Sequence, residues 1–501
     1  MLFNSYAFIL IFLPLFIILF CVTRNAANKD MKYRDVCKWI IIVASLIFYA
    51  PFGVRNLAVL ACSVVVNAVL AKLVAKGRLG TDADGKTSTV AARSKVILAI
   101  AILTNVVSLL FFKFSGVFFP VAVSFYTFNQ ISYVVDMYRG EIEGFSLLDY
   151  LAYILFFPKI LQGPLMGYGE FCEKMDGAIA LAPDKCENGE STRMAIDYEL
   201  LLRALLLFSM GLFKKVILAD TFGRAVNFGF DDVAGLGSLE AILVAVFYSF
   251  QLYFDFSGYC DMASAVCMMI GFELPPNFDS PYKAVNILDF WKRWHITLTK
   301  FFTKYVYIPL GGNRKGMARM YVNLMIVFLV SGLWHGNGWN FIVWGAMHGV
   351  LYVITRMVRG KKEDKPSVPV RVVKTLLTFV YVTLAWVFFR ASSIIEALEL
   401  IGRMFVGGHK RIATQLSACF QLDEIWYVIK VTPIMKLPFA WESCMWLFLI
   451  VAVVIIFFSK NAITIAKNCK IGVKTTLATA ILLVWSIISL AGVSTFLYMN
   501  F

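Results

Sequence analysis

Apolar runs long enough to form membrane-crossing helices recur along almost the whole of this 501-residue chain, and no other feature limits its fold so much. Crossing the hydrocarbon core of a bilayer takes about 20 mostly apolar residues in a helix. Extended backbone in lipid leaves N–H and C=O groups without partners, so these runs have to be helices. A transmembrane barrel needs short segments of alternating hydrophobicity, and the chain has none. Composition points the same way. Hydrophobic residues make up 60% and charged ones 16%, with a mean hydropathy of +0.74, against about 45–50% and about 25% for soluble chains. An all-α polytopic membrane protein is expected.

The net charge of +15 does not indicate nucleic acid, because lysine and arginine gather in particular inter-helix loops, as the positive-inside rule requires of cytoplasmic ones. The ten cysteines are scattered, and Cys62, Cys260, Cys267 and Cys444 lie in apolar runs. No C-x-x-C pair or Cys/His spacing implies a disulfide framework or a metal site.

Residues 6–22 have no basic residue before them and Arg24, Lys29, Lys32 and Arg34 after them. That is the wrong polarity for a cleaved signal peptide, so a permanent helix with its N-terminus outside is expected. Runs at 39–52, 57–74 and 96–112 keep this orientation, with the basic loop 76–95 in the cytoplasm. Residues 118–135 carry Ser124, Tyr126, Asn129, Gln130 and Ser132, and residues 151–168 are broken by Pro158, Lys159, Gly163 and Pro164. Irregular or polar backbone at membrane depth needs protein or a wet cavity around it, so both read as interior or re-entrant segments. Residues 170–197 read as surface loop and short helix. Runs at 200–217 and 239–254 follow, the second interrupted by Asp255, Ser257 and Asp261.

From 286 to 305 the pattern predicts one amphipathic helix, partly at the cytoplasmic interface. Trp291, His295, Leu298 and Phe302 share one face, and Arg293, Thr297, Lys300 and Lys304 the other. Residues 320–334 and 341–355 form a hairpin around Gly336-Asn337-Gly338. Runs at 375–389, 445–458 and 477–490 bring the total to about eleven spans, with the C-terminus outside. No internal repeat appears. A single domain over 1–501 is expected: N-terminal helices at 1–112, a core at 118–356, and C-terminal helices and tail at 357–501.

Three of the four histidines fall between 294 and 348. Ionisable groups at membrane depth are costly and face internal cavities, and imidazole takes and returns protons near neutral pH. His335, in Trp334-His335-Gly336, is a candidate general base for a hydroxyl attacking an acyl thioester. A histidine satisfied in a helix-end turn fits its pattern equally well. His295, beside Trp294, is a candidate for binding the acyl group or sharing proton handling, or else an interfacial residue bonded to a carbonyl. His348 reads as structural and His409 as exposed. Asp255 and Asp261 fit a polar tunnel, the orientation of a histidine, or hydrogen bonding between helices. Gly311-Gly312-Asn313-Arg314-Lys315 fits a phosphate cradle or a basic interfacial turn.

Longer strings then carry a resemblance. They include Ser124-Phe125-Tyr126-Thr127-Phe128, Tyr253-Phe254-Asp255-Phe256-Ser257-Gly258-Tyr259 and Phe290-Trp291-Lys292-Arg293-Trp294-His295. Tyr307-Ile308-Pro309-Leu310-Gly311-Gly312-Asn313-Arg314 and Ser331-Gly332-Leu333-Trp334-His335-Gly336 follow. Together these strings resemble the membrane-bound O-acyltransferases, in particular the branch of the alginate O-acetyltransferase AlgI. The resemblance implies a ring of tilted helices with short inner helices around a central tunnel. It implies that His335 is the central catalytic residue and His295 the second functional histidine, with Trp294, Trp334, Asp255, Asp261, Asn313 and Arg314 as tunnel or donor-binding candidates.

An acyl thioester such as acetyl-CoA is the implied donor, with no metal or other cofactor. The implied acceptor side is a secreted or membrane-anchored SGNH-type polysaccharide acetyltransferase, and the setting a bacterial cytoplasmic (inner) membrane with its lipid. Phe496-x-Tyr498-x-x-Phe501 resembles tails in which the tyrosine is a proposed acyl carrier, although an interfacial aromatic belt explains it equally. D-alanyl transfer to teichoic acid, a transporter and a non-catalytic scaffold remain as rivals.

Overall fold

A computed structural model describes residues 1–78, 89–180, 197–358, 367–490 and 495–497. Every regular element among them is helical. Eight helices are long and apolar enough to cross a membrane, and a ninth crossing results if the pair Ser443–Phe458 and Ala462–Asn468, bent by 69°, is one broken span. Among the described residues that makes eight or nine crossings against the roughly eleven expected from apolar runs; Val473–Ile488 is a shorter apolar helix, and residues 198–231 form one continuous helical run. That run turns through a π-helical segment, Lys214–Ala219, before continuing as Asp220–Asp231.

Lipid-facing and interior helices differ plainly. Arg93–Phe114 is only 17% buried by protein over its apolar window, whereas Ser238–Met269 is 78% buried. A helix apolar on all sides can be either; what marks the second as interior is its complement of Asp255, Ser257 and Asp261, all buried.

The chain packs as two compact units, each discontinuous in sequence. One comprises 1–210, 259–275 and 466–501; the other comprises 211–258 and 276–465. The core of the first is aromatic: Phe8, Phe12, Phe16 and Phe48 converge on Phe157 at ring separations of 5.1–6.4 Å. The polar segment 118–135 is an interior helix, Val123–Arg139, with most of its residues buried. The interrupted segment breaks at Phe156, between Leu147–Leu155 and the single turn Phe157–Ile160. Lys159 on that turn is buried; its Nζ lies 3.6 Å from the centre of the Tyr153 ring and donates to Asn129 Oδ1 at 3.3 Å. A cation held over a ring and bonded to an amide keeps favourable electrostatics without water. Of residues 170–197, those described form the helix Tyr168–Ile179.

In the second unit, the hairpin Met317–His335 and Trp339–Val358 packs with backbones close together. A Cβ on Gly345 would stand 2.5 Å from the Phe328 carbonyl oxygen, and one on Gly332 would overlap the Phe341 carbonyl. Glycine is what lets the two helices approach so closely.

The expected single helix over 286–305 is not what forms. It is two short helices, Ile287–Arg293 and Ile296–Phe302, broken at Trp294–His295. His295 takes φ +44° and ψ +53°, a left-handed conformation that side chains other than glycine adopt seldom. The first helix ends because another segment captures the backbone beyond it: Asp279 N–H donates to the Arg293 carbonyl, and Ile296 N–H donates to the Asn277 carbonyl, both at 3.0 Å. Around the break Trp294, His295, Thr297 and Leu298 are all buried, whereas Lys292 and Lys300 stay exposed.

Candidate active site

Both histidines of the tryptophan–histidine strings lie in the second unit and both are buried, His295 at 1% exposure and His335 at 3%. His335 is the last residue of the Met317–His335 helix. Its ring meets Trp334, Trp344 and Phe389 at centroid distances of 4.6, 5.0 and 5.0 Å. Phe389 is fixed in turn by Asn340, whose amide donates to the carbonyls of Phe388 and Ala391 at 3.1 and 2.8 Å. Those carbonyls end the helix Val368–Arg390 and have no partner further along it. Asn340 thus caps one helix from the start of another and places a wall of the histidine cage.

His295 begins the helix Ile296–Phe302 and packs edge-on against Phe256 at 4.8 Å. Its Nδ1 lies 3.1 Å from Asn277 Oδ1. The same oxygen accepts from the Thr297 N–H at 3.2 Å and the Thr297 hydroxyl at 2.9 Å.

A continuous series of ring contacts joins the two strings. Trp294 lies 5.0 Å from Trp386, Trp386 lies 5.6 Å from Trp344, and Trp344 lies 5.0 Å from His335. His348 belongs to this aromatic mass, with Trp291 at 5.2 Å and Trp344 at 5.0 Å. It is fully buried and neither ring nitrogen has a hydrogen-bond partner among the described residues. The structural reading of its sequence pattern accords with that position.

A cavity of about 410 Å³ opens beside these elements, within the size range of small-molecule sites. Its inner wall includes Trp291, Leu298, Phe328 and Ser331, the last one turn before His335 on the same helix; Lys292, Asn313 and Arg356 also line it. Those three are exposed, whereas Trp291, Phe328 and Ser331 are buried. The cavity therefore grades from cationic and polar at the surface to apolar inside. Neither histidine is itself among the lining residues.

Other sequence candidates fall elsewhere. Asp255 is engaged by Lys215 at 2.8 Å, and Lys215 reaches Asp220 at the same distance. Lys215 and Asp255 are each 2% exposed in their side chains, so this is a buried ion cluster joining helical segments. Asp261 is buried in the first unit. Arg314 is exposed and its N–H closes a turn onto the Gly311 carbonyl at 3.0 Å. Tyr498 lies outside the described residues.

Four residues with a clear place in this geometry went unread in the sequence. Lys215 ends an apolar run, where an ionisable group announces itself. Lys292 and Arg356 were legible only as loop or face cations. Asn277, in an unremarkable Pro-Pro-Asn-Phe string, gives no local sign of its role.

Comparison with known proteins agrees with this geometry. The model of the membrane-bound O-acyltransferase family, MBOAT, matches residues 138–395. The peptidoglycan O-acetyltransferase of Helicobacter pylori is 32% identical, over 100% of this chain and 98% of its own length. A probable alginate O-acetylase AlgI from Pseudomonas aeruginosa is 32% identical over 81% of this chain and 75% of that protein. A teichoic acid D-alanyltransferase from Lacticaseibacillus rhamnosus is 28% identical over 67% of this chain and 83% of its own. The family match takes in both histidine strings and the aromatic series between them, and the relatives extend it over most or all of the sequence; the chain belongs to the membrane-bound O-acyltransferase family and is an O-acyltransferase.

Proposed function

We propose that the chain takes acetyl from a thioester on the cytoplasmic side of a bacterial inner membrane and passes it on for O-acetylation of a polysaccharide outside. The observation that carries this reading is the position of His335. It is a buried imidazole at the end of a helix whose preceding turn, at Ser331, walls a cavity with cations at its mouth. An acetyl-CoA or similar donor suits such a cavity: Lys292 and Arg356 face its anionic part, and the apolar interior receives the acylated arm. His335 takes the proton of the attacking hydroxyl as the new C–O bond forms. The C–S bond breaks, and the leaving thiolate receives that proton. General-base assistance of this kind contributes about 10²–10⁴-fold.

The acceptor is a cell-surface or extracellular glycan. The end-to-end match to a peptidoglycan O-acetyltransferase makes peptidoglycan the first polymer to assay, ahead of alginate. Delivery to it runs through an SGNH-type partner, with both termini of this chain outside and Tyr498 a candidate acyl carrier.

Complementation of a deletion strain tests the reading. His335→Ala, expressed to the wild-type level, should leave cell-wall and secreted glycans without the O-acetyl that mass spectrometry detects in the wild type. Retained acetylation would take His335 out of the chemistry and overturn this reading. Appearance of D-alanine esters on teichoic acid instead of acetyl on glycan would support the D-alanyl reading. Tyr498→Phe keeps the aromatic ring and removes the hydroxyl, so undiminished acetylation in that variant excludes the carrier role.

A further inference from the structure

Asn277 contacts His295 from a segment 18 positions earlier in the chain, and its amide orientation can be settled by chemistry. The Thr297 main-chain N–H is 3.2 Å from the Asn277 side-chain atom assigned as Oδ1. A main-chain N–H is only ever a donor. If the amide were turned over, its NH₂ would face that N–H, donor against donor. The atom is therefore the oxygen, and the same oxygen lies 3.1 Å from His295 Nδ1. An amide oxygen only accepts, so Nδ1 must carry a proton. In the neutral ring the other nitrogen, Nε2, then carries the lone pair. Nothing in this arrangement is loose. Asn277 is 1% exposed and its carbonyl also holds the Ile296 N–H at 3.0 Å. His295 is fixed from its own backbone by its left-handed conformation and from its ring by Phe256.

We propose that Asn277 is a positioning residue that holds His295 in the Nδ1–H tautomer, so that Nε2 brings an accepting lone pair to the reaction and not an N–H that would donate to the thioester carbonyl. The proposal rests on the acyl-transfer reading above, in which His335 takes the proton of the hydroxyl, and gives the second histidine an accepting role beside it. A plain capping role for Asn277, satisfied by Thr297, would leave acetylation indifferent to the tautomer of His295.

The tautomer can be read directly. In the full-length protein labelled with ¹⁵N-histidine and held in detergent or nanodiscs, the His295 resonances are those lost in His295→Gln. Wild type should give a protonated-type Nδ1 and a lone-pair-type Nε2. Nε2–H in the wild type overturns the inference by itself, whatever any variant does. Asn277→Ala should give a mixture of tautomers and lower glycan acetylation by about tenfold to a hundredfold, the size of loss seen when the partner orienting a metal-bound histidine is removed. Asn277→Asp, which keeps the accepting oxygen, should restore the single tautomer and at least part of the acetylation. An unchanged tautomer in Asn277→Ala also overturns the proposal. If Asn277→Ala does not fold, the wild-type spectrum and Asn277→Asp decide the matter. Failure of the underlying reading looks different: His335→Ala would retain acetylation while the His295 spectrum stays as described.

Discussion

Around His295 the chain relies on hydrogen bonds and a rare backbone conformation, whereas around His335 it relies on a regular helix end and packed rings. One oxygen of Asn277 meets three groups at the first site, and three aromatic rings surround the second. Hydrogen bonds select a tautomer and a direction; ring contacts select a position and exclude water. A residue that must present the same face throughout is served by the first arrangement.

This contrast can be broken most severely from the packed side. Gly345→Val inserts side-chain carbon against the Phe328 carbonyl, where neither helix has a rotamer to move, and should cost about 3 kcal/mol. Thermal unfolding in detergent would record a large fall in midpoint, and an unchanged midpoint would mean the helices are not in backbone contact. Valine at each histidine then compares the two backbones. At 335 the residue is helical, but at 295 a branched side chain meets the left-handed region. His295→Val should therefore lose about 1–3 kcal/mol more than His335→Val in the same assay. Equal losses would show that residue 295 relaxes to an ordinary conformation. Phe389→Leu removes one ring from the cage while Asn340 still caps its helix. A loss of about 0.5–1.5 kcal/mol beyond the buried-area difference is expected, with acetylation reduced but present. Smallest of all is Arg314→Ala. Its side chain is exposed, so stability should shift by no more than about 0.5 kcal/mol. A larger effect would mean that this side chain makes a stabilising contact.

Much of this molecule is readable from residue order. The apolar runs give the helices, and the polar residues of 118–135 and Pro158 mark interior segments that the structure buries or breaks. Gly336-Asn337-Gly338 marks the hairpin. What escaped reading depended on distant partners. The helical period is the same on either side of Trp294–His295, so the break is invisible until Asn277 and Asp279 take the backbone groups. Asp255 offered three roles in sequence, and its ion pair with Lys215, 40 positions away, shows bonding between helical segments. The cavity has the same origin, drawing Lys292 from Ile287–Arg293 and Arg356 from the second helix of the hairpin.

The glycine seam of that hairpin has a mechanical corollary. Contact through side chains absorbs small displacements by rotamer changes, but carbonyl-to-glycine contact has nothing that can turn. Tilting of one helix, as bilayer thickness varies, must carry its neighbour along. His335 and His348 then travel as fixtures of a single stiff beam, and their mutual spacing is insulated from the lipid around them.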